Sequence, residues 1–326
     1  MKRQLPWRDT QGPGPEVFYR VWLSEIMLQQ TRVEAVIPYY QLFLQQFPSV
    51  EALAAVTEEE VLTAWSGLGY YSRARNLHKA AKQVVAAGIP ATYEQVLTLR
   101  GVGAYTAAAV ASIALGLPHA AVDGNVIRVI ARLTNDAAEV TSSAMRRRIE
   151  EEAARLLDVR RPGDFNQAMM ELGATICLPG KPRCEACPVQ KFCAARAART
   201  ERQVPVKLKK QLVKEVALDL AIVERAGAIF LVKRAERERR LAGFRELPAL
   251  GQMPDMHAVK LAKVRHQIVN DRFAITVWHI SIEDMDFGGI PDGEWVRVSE
   301  LDRVPLTTVT KKALAARKIR TRFAAL

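Results

Sequence analysis

The sequence contains no apolar run that approaches the roughly 18 residues needed to cross a bilayer. Its N-terminus lacks the basic segment followed by an apolar segment that marks a secretory signal, and the chain has no internal repeat and no low-complexity block. These absences exclude a membrane-spanning chain, and we expect an intracellular, cytoplasmic protein in a reducing compartment. With 326 residues, 49% of them apolar, the chain is long enough for two domains that each bury a core.

Cysteine is also scarce, and the only four cysteines fall in one short segment with the spacing C-x6-C-x2-C-x5-C: Cys177, Cys184, Cys187 and Cys193. Thiolates this close in sequence can converge on one metal ion or one cluster, whereas disulfides are disfavoured in a reducing compartment. Structural zinc sites usually pair two C-x2–4-C units, and only Cys184 and Cys187 form one here. The spacing therefore favours an iron–sulfur cube, with zinc as the alternative.

Acidic residues are in the minority, because 35 aspartates and glutamates stand against 47 lysines and arginines, a formal net charge of +12. A basic surface of this size attracts polyanions, and neutralisation of phosphates would make such binding depend on salt. The alternative is a basic protein whose lysines are only solvated.

Two patterns of apolar residues divide the chain. Apolar residues at three- and four-residue spacing predict helices in the first half: 16–31, 32–47, 72–87, 123–133, 142–157 and 164–176. Runs rich in β-branched residues predict strands later in the chain, followed by a closing helix over 308–318: 215–224, 228–234 and 273–283. We therefore predict a mainly α N-terminal region (1–198) that ends in the cysteine loop, a linker (199–214) and an α+β C-terminal domain (215–326).

One segment of the helical half predicts a contact with phosphate. Gly101 and Gly103 bracket one apolar residue directly before an alanine-rich helix, which is the pattern of a helix–hairpin–helix turn. The backbone amides of such a turn face an anion at the helix N-terminus. An ordinary turn between helices is the alternative.

Several motifs in one order carry a family resemblance. They resemble the A/G-specific adenine DNA glycosylases, which belong to the endonuclease III-like superfamily of helix–hairpin–helix enzymes. The segments are Leu5-Pro6-Trp7-Arg8, Ser24-Glu25-Ile26-Met27-Leu28-Gln29-Gln30-Thr31, Gly67-Leu68-Gly69-Tyr70-Tyr71-Ser72-Arg73, Gly101-Val102-Gly103-Ala104-Tyr105-Thr106, Val122-Asp123-Gly124-Asn125-Val126 and the cysteine loop. The family's leading helix is absent before Leu5, so we expect either a misassigned start or a shortened variant.

The resemblance implies a monomeric base excision repair enzyme, associated with the nucleoid and bound to double-stranded DNA. Such an enzyme removes adenine that is mispaired with 8-oxoguanine or guanine, and it carries a [4Fe–4S] cluster on the four cysteines. The competing hypotheses are a non-catalytic iron–sulfur DNA-binding protein and a lyase of the endonuclease III kind.

Breaking the bond between adenine and deoxyribose requires a neutral acid to protonate the base and a charged group to stabilise the sugar cation. Glu25 lies among apolar residues that would raise its pKa, although a glutamate in an unrecognised helix is usually solvated. Asp123 precedes a helix start, where an N-cap is the structural alternative and is compatible with a catalytic role. The resemblance implies that Glu25 is the acid, that Asp123 stabilises the cation and that Asn125 helps to place the acid or the water.

Tyr105 bears on the lyase hypothesis. In the lyase members of the superfamily this position carries a lysine whose amine forms a Schiff base with the sugar, and a phenol cannot do so. We therefore expect base removal without efficient strand cleavage, with the phenol lining the sugar pocket; a core tyrosine is the alternative.

Enzymes that act on a base take it out of the stack, which requires a pocket for the base and side chains that fill the gap. By resemblance, Gln30, Leu68 and Tyr70 wedge into the stack. A second group lines the adenine pocket by the same resemblance: Arg3, Trp7, Arg8 and Gln167. Without the resemblance, Trp7 and Leu68 would be assigned to the core.

The C-terminal domain contains Leu231-Val232-Lys233-Arg234, followed by Leu241-Ala242-Gly243-Phe244-Arg245-Glu246-Leu247-Pro248. These segments resemble the Nudix-like module with which the glycosylases of this family recognise 8-oxoguanine. Arg245-Glu246 is not followed by the paired glutamates that bind magnesium, so pyrophosphate hydrolysis is not expected. Two features depart from the family: Val264-Arg265-His266 stands where many relatives have Phe-Ser-His, in a loop that contacts 8-oxoguanine, and Arg245 stands where tryptophan is common. His266 is the candidate contact to 8-oxoguanine, and a structural histidine is the alternative.

Overall fold

The protein divides into two units, one formed by residues 1–54 and 79–209 and the other by residues 55–78 and 210–326. The structure, a computed structural model, describes residues 3–12, 14–206, 214–235, 241–253, 257–268, 271–282 and 293–319. Segment 55–78 thus groups by its contacts with the C-terminal residues, although it lies within the predicted helical region. The predicted domain boundaries stay a prediction.

Helices form the regular structure of the described chain as far as residue 206. Their bounds are α1 (Gly14–Leu28), α2 (Val33–Gln46), α3 (Val50–Ala55), α4 (Glu58–Trp65), α5 (Ser72–Ala87), α6 (Tyr93–Leu97), α7 (Ala104–Ala114), α8 (Gly124–Thr134), α9 (Ser143–Leu156), α10 (Pro162–Thr175) and α11 (Ala194–Ala197). The six helices predicted from apolar spacing are present, with ends that shift by three residues or fewer. The sequence reading did not propose α3, α4, α6 and α11, because these helices are too short to show a clear period.

Local sequence explains where the central helices begin and end. Helix α1 is buried on nearly all sides from Val17 to Met27, as expected of a helix that is apolar around its circumference. Helix α8 begins at the N-cap Asp123 and ends at Asn135, whose φ of +55° is a left-handed conformation that asparagine tolerates. Helix α4 begins with a capping box in which Thr57 and Glu60 satisfy each other's backbone N–H groups.

Part of the predicted linker packs on the helical unit. Val204 is 3% exposed and joins the core between α8 and α9. The Arg132 guanidinium donates to the Val204 carbonyl at 2.9 Å, and the Val140 amide donates to the Val206 carbonyl at 3.0 Å. These partners explain why residues up to 206 belong to this unit.

The second unit contains a mixed sheet. Its strands are β1 (Lys214–Arg225), β2 (Ala228–Lys233), β3 (Arg245–Glu246), β4 (Val259–Ile268), β5 (Asp271–Ser281) and β6 (Gly293–Arg297). The order is β3-β2-β1-β5-β4, β6 also pairs with β2, and the β1–β5 pair is parallel while the other pairs are antiparallel. Helix α12 (Thr308–Ala316) adds Leu314 to a core that contains Ile222 and Ile275. The predicted α+β class is confirmed.

The Val264-Arg265-His266 segment corrects the sequence reading, because it lies inside β4 and not in a loop. Arg265 pairs with Ala274 and His266 pairs with Phe273 across the β4–β5 ladder. The side chains of Val264 and His266 are half-buried and Arg265 is exposed, so the segment alternates as a strand does. Charged residues on the outer face hid this alternation. None of the helices in the described part of the chain is long and apolar enough to span a membrane.

Candidate active site

Glu25 lies in the buried middle of α1 and is 6% exposed. The Tyr105 hydroxyl donates a hydrogen bond to Glu25 Oε2 at 2.9 Å. Burial raises the pKa of Glu25 to about 7; the bond from Tyr105 opposes this rise, and the charge of Asp123 adds to it. A carboxyl group with this pKa is available as a neutral acid near pH 7.

Tyr105 occupies the first turn of α7, directly after the hairpin turn. Gly101 has φ +79°, a conformation that favours glycine, and Gly103 is the N-cap of α7. The side-chain amide of Gln29 donates from Nε2 to Thr106 Oγ1 at 3.1 Å, which connects the end of α1 to the start of α7. Burial raises the pKa of Tyr105, and the neighbouring charges of Glu25 and Asp123 raise it further, so its phenol stays protonated. The sequence prediction of a hairpin followed by a helix agrees with this geometry.

Asp123 caps α8 and is oriented by its neighbours. Its Oδ1 accepts from the amides of Asn125 at 2.9 Å and Val126 at 2.7 Å, and its Oδ2 accepts from the Asn125 side chain at 2.8 Å. The capping role and the proposed catalytic role are compatible, because the same bonds fix the orientation of the carboxylate. The charge of Asp123 acts on the pKa values of both Glu25 and Tyr105, so the structure brings these three side chains together.

Arg128 connects this site to the start of the cysteine loop. It is 9% exposed, and its guanidinium donates to Asn125 Oδ1 at 2.8 Å, to the Gly173 carbonyl at 2.7 Å and to the Cys177 carbonyl at 2.7 Å. Asn125 is therefore held between Asp123 and Arg128. Sequence reasoning missed Arg128 because it stands outside the Val122–Val126 motif, although it lies one helical turn beyond Gly124.

Helix α10 approaches the site closely at Gly173. A Cβ atom at Gly173 would lie 2.6 Å from the Asn125 Cβ and 3.0 Å from the Asn125 carbonyl oxygen, distances that a side chain cannot occupy. Met170, on the same helix, places its sulfur 3.3 Å from the Tyr105 hydroxyl. Glycine at 173 thus permits the packing that positions Asn125.

Glu171 organises two of the predicted pocket residues, Arg3 and Arg8. Both guanidinium groups donate to the Glu171 carboxylate, and Arg8 also donates to the Arg3 carbonyl at 2.9 Å. Burial opposes ionisation of Glu171, but the bonds from Arg3 and Arg8 prevail and lower its pKa to about 2. Sequence reasoning also missed Met170 and Glu171. Both could have been found from Gln167, because they follow it by three and four residues and so lie on the same face of the helix.

The remaining predicted positions separate into exposed and buried residues. Gln30 is exposed, Tyr70 is 44% exposed, and both have left-handed backbone conformations, with φ +57° and φ +51°. Trp7 and Leu68 are each 7% exposed, as core residues are. Leu68 and Tyr70 belong to the second unit.

His266 also lies in the second unit. Its ring is half-buried, and Lys312 Nζ lies 3.4 Å from its Nδ1. Burial lowers the pKa of His266 and the Lys312 charge lowers it further, so the ring is neutral near pH 7.

The four cysteines line one cavity that is partly open to solvent. None of them forms a disulfide. Arg132 donates to Cys177 Sγ at 3.2 Å, and its carbonyl oxygen lies 3.3 Å from Cys193 Sγ. Within the described residues, no three His, Cys, Asp or Glu side chains are arranged to hold a single metal ion. Four thiols around one cavity are a donor set that suits an iron–sulfur cluster or a tetrahedral zinc ion.

Comparison with known proteins places this site in a family. A model of the HhH-GPD superfamily base excision DNA repair proteins matches residues 23–155. A solved thermostable thymine-DNA glycosylase shares 30% identity, with a TM-score of 0.53 over 60% of this chain and 89% of that protein. The helical unit thus has the fold of helix–hairpin–helix base excision repair proteins.

Two curated relatives narrow the assignment. The adenine DNA glycosylase of Rattus norvegicus is 48% identical over 201 residues, which is 60% of this chain and 39% of that protein. The adenine DNA glycosylase of Buchnera aphidicola subsp. Schizaphis graminum is 31% identical over 240 residues, which is 73% of this chain and 68% of that protein. The chain belongs to the adenine DNA glycosylase family, as its motifs predicted, and it spans about two fifths of the length of the rat relative.

The raised pKa of Glu25 predicts a stability cost that depends on pH. A folded-state pKa of about 7 against 4.5 means that stability is full below pH 4.5 and falls as the pH rises through 7, by about 3 kcal/mol in all. We expect Glu25→Gln to be more stable than the wild type at pH 8 by up to this amount, with a gap that narrows toward pH 5. Urea unfolding at pH 5 and pH 8 measures the free energy of unfolding of each variant. The control is Glu151→Gln, at an exposed glutamate, whose stability relative to the wild type should not differ between the two pH values. If Glu25→Gln differed from the wild type by the same amount at both pH values, the raised pKa of Glu25 would be contradicted.

Proposed function

We propose that the protein is an adenine DNA glycosylase that hydrolyses the N-glycosidic bond of adenine mispaired with 8-oxoguanine or guanine. The observation that carries this proposal is the buried Glu25 carboxyl, whose pKa is about 7. It accepts a hydrogen bond from Tyr105, and its pKa responds to the charge of Asp123, the N-cap of α8. A neutral acid and an ionised carboxylate in one site are what departure of a purine from deoxyribose requires.

The first step is departure of the base. The Glu25 carboxyl gives its proton to a ring nitrogen of the extruded adenine, and the bond between sugar carbon and base nitrogen breaks with its electron pair on the base. The hydrogen bond from Tyr105 fixes the orientation of the Glu25 carboxyl during this transfer. Ionised Glu25 then takes a proton from the water that adds to the sugar, which restores the acid and leaves an abasic site.

Asp123 stabilises the positive charge that develops on the sugar. Two backbone amides and the Asn125 side chain fix its orientation, so no reorganisation is needed as the charge develops. Asn125 is itself held by Arg128, which makes it a positioning residue for Asp123.

These residues favour the enzyme over the two competing hypotheses. A DNA-binding protein without catalysis needs the hairpin but has no use for a buried carboxyl beside a second carboxylate, which costs stability. A lyase needs an amine at position 105, and the phenol there has none.

The DNA contacts are proposed from the family resemblance together with backbone strain. Gln30 and Tyr70 hold exposed side chains on left-handed backbone, and strain of this kind clusters at functional sites. The family resemblance assigns both of them, together with Leu68, to the wedge. We assign Arg3, Trp7, Arg8 and Gln167 to the lining of the adenine pocket. Arg3 and Arg8 both donate to the Glu171 carboxylate, which fixes their guanidinium groups. We assign phosphate contact to the Gly101–Gly103 turn and 8-oxoguanine contact to the Nudix-like domain through His266.

We assign a [4Fe–4S] cluster to Cys177, Cys184, Cys187 and Cys193, on the support of their shared cavity. When bound, such a cluster orders the loop, which carries Lys181, Arg183 and Lys191 toward DNA phosphate. Hydrolysis of the glycosidic bond transfers no net electrons, so this reaction asks for no redox step.

Duplex cleavage tests the proposed activity. We expect alkali-dependent strand cleavage of duplexes with adenine opposite 8-oxoguanine or guanine and none with adenine opposite thymine. Glu25→Gln should bind the mispaired duplex but lose activity by about a thousandfold, because the amide cannot donate the proton. Glu151→Gln is the matched control; wild-type activity in Glu25→Gln would refute the acid assignment.

The pH dependence of base removal follows from the same group. Because the neutral form of Glu25 is the acid, the single-turnover rate should fall above about pH 7, roughly tenfold per pH unit. Quenched reactions on the mispair with 8-oxoguanine between pH 6 and pH 9 measure this decline. A rate that stays level up to pH 9 would contradict the proposed role.

Tyr105→Lys tests the position of the phenol beside the sugar. A lysine there would place an amine where a Schiff base with the sugar can form, so borohydride should trap a covalent complex that the wild type does not give. Tyr105→Phe, which has no amine, is the control. Absence of a trapped complex in Tyr105→Lys would count against the pocket position.

A further inference from the structure

The turn between α4 and α5, residues 66–71, contacts C-terminal residues of the same unit. Ser66 is 2% exposed; its hydroxyl donates to the Leu306 carbonyl at 2.7 Å, and its carbonyl accepts from Lys311 Nζ at 2.8 Å. The hydroxyl and the carbonyl of Ser66, the first residue of the turn, are therefore both bonded to residues about 240 positions later in the chain.

Lys311 is an unusual choice for this contact, because it is only 6% exposed. Lysine is almost never buried unless its charge is compensated, and desolvating an ammonium group is costly. The bond to the Ser66 carbonyl is a charge-assisted one and offsets part of that cost. A methionine would fill similar space on α12, but it would take this donor away from the Ser66 carbonyl.

The far end of the turn is held in the same way. The Tyr71 ring packs on the fully buried Phe244 at a centroid distance of 4.0 Å, and the Tyr71 hydroxyl accepts from the Gly67 amide at 3.1 Å and lies 3.4 Å from Thr308 Oγ1. Tyr71 thus connects Gly67 to the start of α12.

Arg245 adds a tie to the preceding helix. Its guanidinium donates to Glu59 on α4 and to Glu294 on β6. Its side chain is 10% exposed, so its donors are directed to these carboxylates and not to DNA. Arg245 therefore joins the sheet to α4 through ion pairs.

Between these ties, Tyr70 projects outward with 44% of its surface exposed on strained backbone. We propose that Lys311 is a positioning residue for base extrusion: it fixes the turn 66–71 from the C-terminal domain and so sets the projection of Tyr70 into DNA. This rests on the proposed function for the step it serves. The module proposed to read 8-oxoguanine would thereby also hold the wedge that opens the mispair.

The test compares Lys311→Met with Leu314→Val, which trims a fully buried core residue on the same helix without touching the turn. In the free protein, amide hydrogen exchange of peptides spanning 66–73 should quicken in Lys311→Met and stay unchanged in Leu314→Val. Unchanged exchange in Lys311→Met overturns the proposal, and this readout does not depend on any enzymatic activity.

Extrusion is measured with 2-aminopurine placed beside the mispaired adenine, with both variants in a Glu25→Gln background that binds without cutting. Lys311→Met should bind with unchanged affinity but give a weaker fluorescence rise, and with Glu25 restored its single-turnover rate should fall by on the order of tenfold. Leu314→Val should match its parent in both. A full fluorescence rise in Lys311→Met overturns the proposal, whereas a wild type that releases no adenine would refute the proposed function and leave the exchange result standing.

Discussion

The burial of Glu25 in α1 is the constraint on which the rest of the helical unit depends. A carboxyl enclosed on all sides keeps its proton near pH 7 only if the surrounding helices exclude water. The bond from Tyr105 then requires the hairpin turn and α7 to sit against α1, and Gln29 secures that contact through Thr106. Besides its proposed contact with phosphate, the hairpin therefore positions the Tyr105 hydroxyl against the Glu25 carboxyl.

Helix α10 carries the supporting groups at helical spacing. Gly173 lets the helix approach Asn125, Glu171 gathers Arg3 and Arg8, and Met170 contacts the Tyr105 hydroxyl. Through Gly173 and Asn125, Arg128 joins this helix to the cysteine loop, so the loop that would hold the cluster is bonded to the N-terminus of α8. A disturbance of the loop has a short path of hydrogen bonds to Asp123.

Local sequence predicted the elements with a clear period and the residues inside recognisable motifs. Helix α5 was placed with its observed bounds, and Glu25, Tyr105 and Asp123 could be named as candidates because short motifs carry them. Glu171, Arg128 and Gly173 were missed, because their importance comes from partners 45 or more positions away. The tie between Lys311 and Ser66 joins residues 245 positions apart, and no periodicity reveals such a pair. Strand β4 was lost because charged outer residues masked its inner face.

Each unit buries an ionisable group whose desolvation opposes folding. The helical unit buries the Glu25 carboxyl at a cost of about 3 kcal/mol above pH 7, and the second unit buries the Lys311 ammonium and holds Tyr70 on strained backbone. Natural proteins keep such features where function needs them, since apolar substitutes would stabilise the fold. Under the proposed function, the cost of burying Glu25 in the helical unit serves bond breaking, and the strained Tyr70 of the second unit serves opening of the mispair. Base removal and mispair opening, as proposed, therefore make separate demands on the chain: Glu25 meets the first, and the turn that carries Tyr70 meets part of the second.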